Sequence, residues 1–536
     1  MTMSSPFIQF LSTNLSPNAE EAHKIRQFCF ARSSELAGIK EKISLAQEAL
    51  RTLQAQHDEL DRVLHDHEGI LSPIRQLPPE ILQKVFVYCL PQPLLPIPRL
   101  ARSSFNVEQA PMLLAHVSRQ WRRVVHATPE LWCTLSIFPQ GLKGPATDRQ
   151  PSLEHSPQAK LFQNREVDAE EHKTYVISLC KSLDFWLGCS GNYPLTIRLD
   201  LHDYSQIVAG RQLIRFLAAY SHRWKRIYLT VPPRSLAVFD EFQEPDISLL
   251  ETFHIQKWSR RGDNSRFPPH FFSLLRYAPR LCQIYLPHLD FETSLIPWRQ
   301  LTDLHFDASL TPRMDGGDIL SVLQDCAELR SLTLGGYIHF PAELQFTEKL
   351  TLPTLHHLKI MGVQEAASER LLSNFILPNL DQLEICNPRA SRASAIDLLI
   401  QCSSTLTSLT VKNVDDMDMF LHLVPNLVEL CMEYDHVVEN QIFKAFTSSS
   451  TGSYLCPKLV KFTIGTCTKG QEHVLSKFLR ERCSLVRAEG VARLESLRIV
   501  YHETPEFDFH EVTSLYTKDG LDISMLIIKE CLHCHM

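Results

Sequence analysis

Hydrophobic and polar positions fall into three successive patterns along the 536 residues. From about Ala19 to Gly69 the apolar positions step by three and four: Leu36, Ile39, Ile43, Ala46, Leu50, Leu53, His57, Leu60, Leu64 and His67. That is a heptad seam, and with no proline in the stretch it predicts one long helix over 19–69. Ile25 and Cys29 continue the frame upstream, where Arg32 interrupts its apolar character. Two readings of the seam stay open. Residues 36–67 either pair with a second copy in a homodimeric coiled coil, or belong to an amphipathic helix lying on the globular body. Residues 1–18, rich in Ser, Pro and Asn, are expected to be disordered.

The second pattern occupies residues 70–135. Leu77-Pro78-Pro79-Glu80 is a helix start, because proline suits a first turn that needs no N–H and a carboxylate there favours the dipole. Ile81, Leu82, Val85, Phe86 and Cys89 then form a wide apolar stripe, and Pro91 ends the helix. A proline-stiffened loop over 91–111 separates it from a second amphipathic segment carrying Leu113, Leu114, Val117, Trp121 and Val124 or Val125, with Arg119, Arg122 and Arg123 interleaved. Pro129-Glu130-Leu131-Trp132 closes the module on a large aromatic anchor. Helices this short bury little core alone, so the module calls for a partner or a neighbouring domain. Residues 136–173, mixing Pro, Gly, Gln and charge without periodicity, are expected to form a flexible linker.

The third pattern fills 174–536 and repeats. The motif L-x-x-L-x-[LI] recurs as Trp224-Ile227-Leu229, Leu250-Phe253-Ile255, Leu281-Ile284-Leu286, Leu301-Leu304-Phe306, Leu329-Leu332-Leu334 and Leu355-Leu358-Ile360. It continues as Leu380-Leu383-Ile385, Leu406-Leu409-Val411, Leu427-Leu430-Met432, Leu459-Phe462-Ile464 and Leu494-Leu497-Ile499. Alternation within each copy predicts a short strand with one face buried. Amphipathic pieces such as Leu213-Ile214-Leu217-Ala218 and Ile319-Leu320-Leu323 lie between the strands. Trp186–Leu201 is expected to form a degenerate first repeat that caps the array.

Composition narrows the function class. A net charge of −7 argues against a nucleic-acid partner. No run of eighteen or more apolar residues exists, so no membrane-spanning helix is expected, and the start lacks the pattern of a secretory signal. Fifteen scattered cysteines suggest reduced thiols and an intracellular, cytoplasmic or nuclear, compartment. Gly465-Thr466-Cys467-Thr468-Lys469-Gly470 starts like a phosphate loop, but Gln471 and Glu472 stand where Lys and Ser or Thr are required. The tail Cys531-Leu532-His533-Cys534-His535 has soft metal ligands without a distant second pair to close a zinc site. No catalytic motif, metal site or cofactor is therefore expected.

Leu77-Pro78-x-Glu80-Ile81-Leu82, Val117-Ser118-Arg119-Gln120-Trp121 and Leu131-Trp132 together resemble the F-box family, in which they correspond to the opening signature, the second helix and the closing pair. The repeats resemble the leucine-rich-repeat family, although the Asn or Cys usual three places after the motif is met only by Cys467. The implied fold class is α/β: a long N-terminal helix, a small all-α F-box and an α/β leucine-rich-repeat solenoid. The resemblance implies a non-catalytic substrate receptor that docks a Skp-type adaptor, and through it a cullin, in a ubiquitin ligase. Leu77, Pro78, Ile81, Leu82, Val85 and Phe86 would carry docking, with Val117, Trp121 and Trp132 in support. An unknown protein substrate would meet the strand positions that should line a concave face: Tyr285, His305, Thr333, Lys359, Glu384, Thr410, Cys431, Thr463 and Arg498. A repeat scaffold with no ligase role is the alternative.

Overall fold

A computed structural model describes residues 5–11, 13, 15–91, 103–138, 165–201, 207–241, 246–257, 267–268, 271–289, 291–308, 314–341, 349–386, 392–412, 420–433, 446, 454–465, 472–483, 490–501 and 521–527. Most of the 91–111 loop and of the 136–173 linker, residues 466–470 and the Cys531–His535 tail lie outside them. The chain divides into two compact units, Met1–Val85 and Phe86–Met536.

In the first unit a short helix α1 (Ile8–Leu11) precedes α2, an uninterrupted helix over Ala19–Ile70. Its start is fixed by a capping box. The Asn18 side chain accepts from the backbone N–H of Glu20 and Glu21, and Glu21 accepts from the Asn18 N–H at 2.9 Å. Pro73, just beyond its last turn, opens a 3₁₀ turn over Pro73–Gln76. None of the 52 residues of α2 is buried. Helix α3 (Pro79–Tyr88) begins where the proline pair and Glu80 predict.

The second unit is built on a fourteen-stranded sheet in which each strand pairs, parallel, with its neighbours in the sheet's sequential order. Its strands are β1 (Thr134–Ile137), β2 (Leu195–Asp200), β3 (Trp224–Val231), β4 (Thr252–Lys257), β5 (Gln283–Leu286), β6 (Asp303–Ala308) and β7 (Ser331–Gly336). They continue as β8 (His357–Met361), β9 (Gln382–Cys386), β10 (Ser408–Lys412), β11 (Glu429–Glu433), β12 (Lys461–Gly465), β13 (Ser496–Tyr501) and β14 (Asp522–Ile527). Every strand motif named above from Trp224-Ile227-Leu229 onward lies at one of these strands, and its apolar positions are buried. The pairing aligns equivalent positions, as in Leu332↔Leu358, Leu358↔Leu383 and Leu383↔Leu409. Period two thus puts one apolar face of each strand from β1 to β13 into one continuous core.

α-Helices lie between some of the strands and 3₁₀ turns between others. Helix α6 (Arg165–Cys189) precedes β2 and α7 (Ile207–Ala218) precedes β3; further helices span Gly316–Asp325, Glu365–Asn374, Arg392–Gln401 and Glu472–Cys483. At Gly316, the first residue of its helix, any Cβ would collide with the ring of Phe340. Two elements occupy the ends of the expected linker 136–173, since β1 reaches Ile137 and α6 begins at Arg165. Trp186–Leu201 does supply a strand, β2, but β1 lies outside it at the sheet's edge. β1 carries the same spacing as the Trp224-Ile227-Leu229 copy, Trp132-x-x-Leu135-x-Ile137, but the first residue of that spacing also closes the helical module, which masks it as a repeat.

Candidate protein-interaction face

The outward row of the sheet follows from the same alternation that builds its core. Tyr285 pairs with His305, His305 with Thr333, Thr333 with Lys359, Lys359 with Glu384, and Glu384 with Thr410. Cys431, Thr463 and Arg498 continue the row. All the residues expected to line one face therefore share one register line, with Arg498 three strands beyond Thr410, but Thr333 is buried between its neighbours and offers little surface to a partner. The row also extends upstream through Arg198, Tyr228 and His254, and downstream to Ser524. Tyr228 and His254 occupy the same motif position as Tyr285, so applying the motif to the two preceding repeats would have found them.

In-register neighbours less than about 5 Å apart stack their side chains into a ladder. Tyr228 and His254 have ring centroids 5.8 Å apart, His254 and Tyr285 stack at 4.9 Å, and Tyr285 and His305 follow at 5.1 Å. At the upstream end Arg198 pairs with Asp200 at 2.9 Å and lies 5.5 Å from the Phe138 ring. Burial beside these rings disfavours the charged imidazole. It pushes His254 down to about 3, helped by the positive charges of His305 and Arg198. Burial likewise pushes His305 down to about 4, where the Asp307 carboxylate opposes the shift and Lys359 adds to it.

Beyond Thr333 the row changes character. Lys359 forms an ion pair with Glu384, and His357 Nε2 lies 3.3 Å from the other carboxylate oxygen without a well-aligned hydrogen bond. The His357 contact first, then Lys359, hold the Glu384 carboxyl down to about 2 against the opposing effect of burial. Ser331 Oγ lies 3.2 Å from His357 Nδ1, so Ser331, His357 and Glu384 form a chain across three neighbouring strands. The backbone N–H of Ser331 bonds Thr302 O at 2.9 Å and β7 is paired on both sides, so the amide beside this hydroxyl is committed to the sheet. The face combines aromatic, neutral imidazole and paired ionic groups, a chemistry suited to holding a protein surface.

The residues expected to dock an adaptor fall into two sets. Pro78, Ile81 and Val85 are exposed, Ile81 by 43% and Val85 by 37%, and Leu77 is half-buried. Leu82 and Phe86 have no exposed surface, so α3 offers one part of its stripe and keeps the other inside. In the second unit, helix α4 (Met112–Val117) leads into α5 (Arg119–His126), whose N-cap Ser118 accepts from the Trp121 N–H. Val117 is 57% exposed, while Trp121 is half-buried against the Phe86 ring, 4.7 Å between centroids. Trp132 is fully buried. Its indole N–H donates to Val125 O, and its ring meets that of Trp186 edge to face. Leu82, Phe86 and Trp132 therefore offer no surface to a partner in this conformation.

Among the described residues no three His, Cys, Asp or Glu side chains gather as a metal site, and no helix is long and apolar enough to cross a membrane. Neither a scan against known protein-family models nor a search of curated proteins returns a match for this chain.

Proposed function

We propose that this protein is the F-box substrate receptor of a Skp–cullin–F-box ubiquitin ligase, acting in the cytoplasm, the nucleus or both. The observation that carries the reading is α3. A Leu-Pro-x-Glu-Ile-Leu start initiates a helix that leaves Ile81 and Val85 exposed, and two further family-like elements follow in order at Val117–Trp121 and Leu131–Trp132. Exposed branched aliphatic side chains on a short helix suit insertion into an adaptor's apolar groove. The parallel sheet, with helices or 3₁₀ turns between its strands, supports a leucine-rich-repeat solenoid, and its outward row from Arg198 to Arg498 is the surface offered to a target. Such a receptor works by proximity. One end holds the adaptor and the other holds a protein near a ubiquitin-charged enzyme, with no covalent chemistry of its own.

A second reading has its own observation. β1 follows the closing turn Pro129–Trp132 directly, and Trp132 packs on Trp186, so the helices could serve only to cover the sheet's edge. Capture of a purified Skp-type adaptor by the full chain separates the two. Wild type should retain adaptor under reducing conditions, and a Leu77→Ala/Ile81→Ala double variant should lose most of it. Failure of wild type to bind rejects the ligase role. Equal binding by the variant rejects α3 as the docking element.

A further inference from the structure

We propose that the Leu36–His67 seam of α2 pairs with the same seam of a second copy of this chain, as a parallel two-stranded coiled coil. Leu36, Ile39, Ile43, Leu50, Leu53, Leu60 and Leu64 are each 51–69% exposed. At on the order of 100 Å² each, they present roughly 700 Å² per copy, close to the ~800 Å² per partner of a standard interface. A helix gains little stability from propensity alone, so a 52-residue helix with no buried side chain is incomplete without a partner.

The seam carries its own complement. With Leu36 at position a, Glu35 falls at g and Lys40 at e, and in a parallel pair each g residue meets the e residue five places on in the other copy. Glu35 then meets Lys40 of the second copy, an attraction made twice. The remaining contacts, Lys42 with Gln47, Ala49 with Gln54, Gln56 with Asp61 and Val63 with Glu68, include no like charges. Direction follows from the layers. In parallel register His57 meets His57, His67 meets His67 and Ala46 meets Ala46, so polar and small layers stay apart from the Leu and Ile layers. An antiparallel overlap of the same stretch would set His67 against Leu36. A polar residue in the seam is a known device for fixing register.

Cys29 provides a native reporter. It occupies an a position of the same frame and is exposed, and the Arg32 between it and Leu36 is ion-paired with Glu35. A parallel pair brings the two Cys29 sulfurs into one layer, within disulfide reach. The antiparallel overlap would hold them roughly 65–70 Å apart.

Two measurements on the full chain decide. By sedimentation at micromolar concentration, wild type should run as a dimer of the 61.5 kDa chain, and Leu50→Glu/Leu53→Glu as a monomer that loses helical far-UV circular dichroism from α2 but keeps the cooperative unfolding transition of the sheet. With diamide, which takes up the two thiol hydrogens, wild type should become a disulfide-linked dimer and Cys29→Ser should not. A wild-type monomer overturns the proposal in favour of a seam covered by the chain's own body or by another protein. A dimer that survives both charged substitutions overturns the seam as its interface, and a dimer with no Cys29 crosslink overturns the parallel arrangement.

Discussion

The indole N–H of Trp186 donates to the main-chain carbonyl of Trp132 across 2.8 Å, while the two rings meet edge to face 4.7 Å apart. One residue closes the helical module and the other sits in the helix leading to β2, 54 positions later, so this contact ties the module to the sheet. Both side chains are buried. Trp186→Phe keeps most of the packing but leaves the Trp132 carbonyl unpaired, and should cost about 1–3 kcal/mol. Trp186→Ala also opens a cavity and should cost about 3–5 kcal/mol. Chemical denaturation followed by tryptophan fluorescence measures both; equal losses would mean that the hydrogen bond, not packing, carries the joint.

Glu384 should make stability fall in acid. Its carboxyl is held down to about 2 in the fold, from 4.5 for the free group. The unfolded chain therefore takes up a proton that the folded chain refuses. The resulting stabilisation is present above about pH 4.5 and is lost as pH falls through about 2. Glu384→Gln should cost on the order of 1–3 kcal/mol at pH 7, since the pair is partly shielded from solvent. The difference from wild type should vanish between pH 4.5 and 2 in urea titrations. A constant difference over that range would remove the ion pair as its cause.

The histidines of the ladder act over a different window. His254 and His305 are pushed down to about 3 and about 4, so both imidazoles stay neutral when an unfolded histidine, near pH 6.5, takes its proton. Stability conferred by the neutral ladder is full above about pH 6.5 and declines as pH falls toward 4 and then 3, by at most ~1.4 kcal/mol per pH unit for each histidine. His254→Phe/His305→Phe should flatten that decline while keeping the stack. Proton NMR of the ring Hε1 signals provides the direct check: movement of either signal near pH 6.5 would contradict the buried, neutral state.

Much of this architecture was legible in the residues. A three-four step without proline placed α2 to within one residue of Ile70, because helix periodicity and capping are local. The L-x-x-L-x-L motif placed Tyr285 and Glu384 on one row, because parallel strands in register repeat their faces. Periodicity identified the apolar stripe of α3 but not which of its members are buried, so Leu82 and Val85 looked alike. Stacking of His254 on Tyr285 also depends on inter-strand spacing, a relation between residues 31 positions apart that no single repeat contains. Buried cations were least legible, because an arginine in an amphipathic helix is ordinarily a solvated residue.

Arg482 is the sharpest case of that last kind. It has no exposed surface, donates to the carbonyls of Leu455 and Cys456, and lies 6.0 Å from the Phe446 ring centroid and 5.6 Å from that of Tyr454. Its planar fork reaches two carbonyls at once while its faces meet aromatic rings, and an ammonium can do only one of these. Arg482→Lys buries a charge with fewer partners and should cost about 3–5 kcal/mol. Arg482→Met removes the charge and keeps the volume, leaving two carbonyls unpaired for a smaller loss of about 1–3 kcal/mol. The order of the two variants in chemical denaturation is the informative result. If Lys is tolerated better than Met, the positive charge itself, rather than the fork, holds residues 454–456 against this helix.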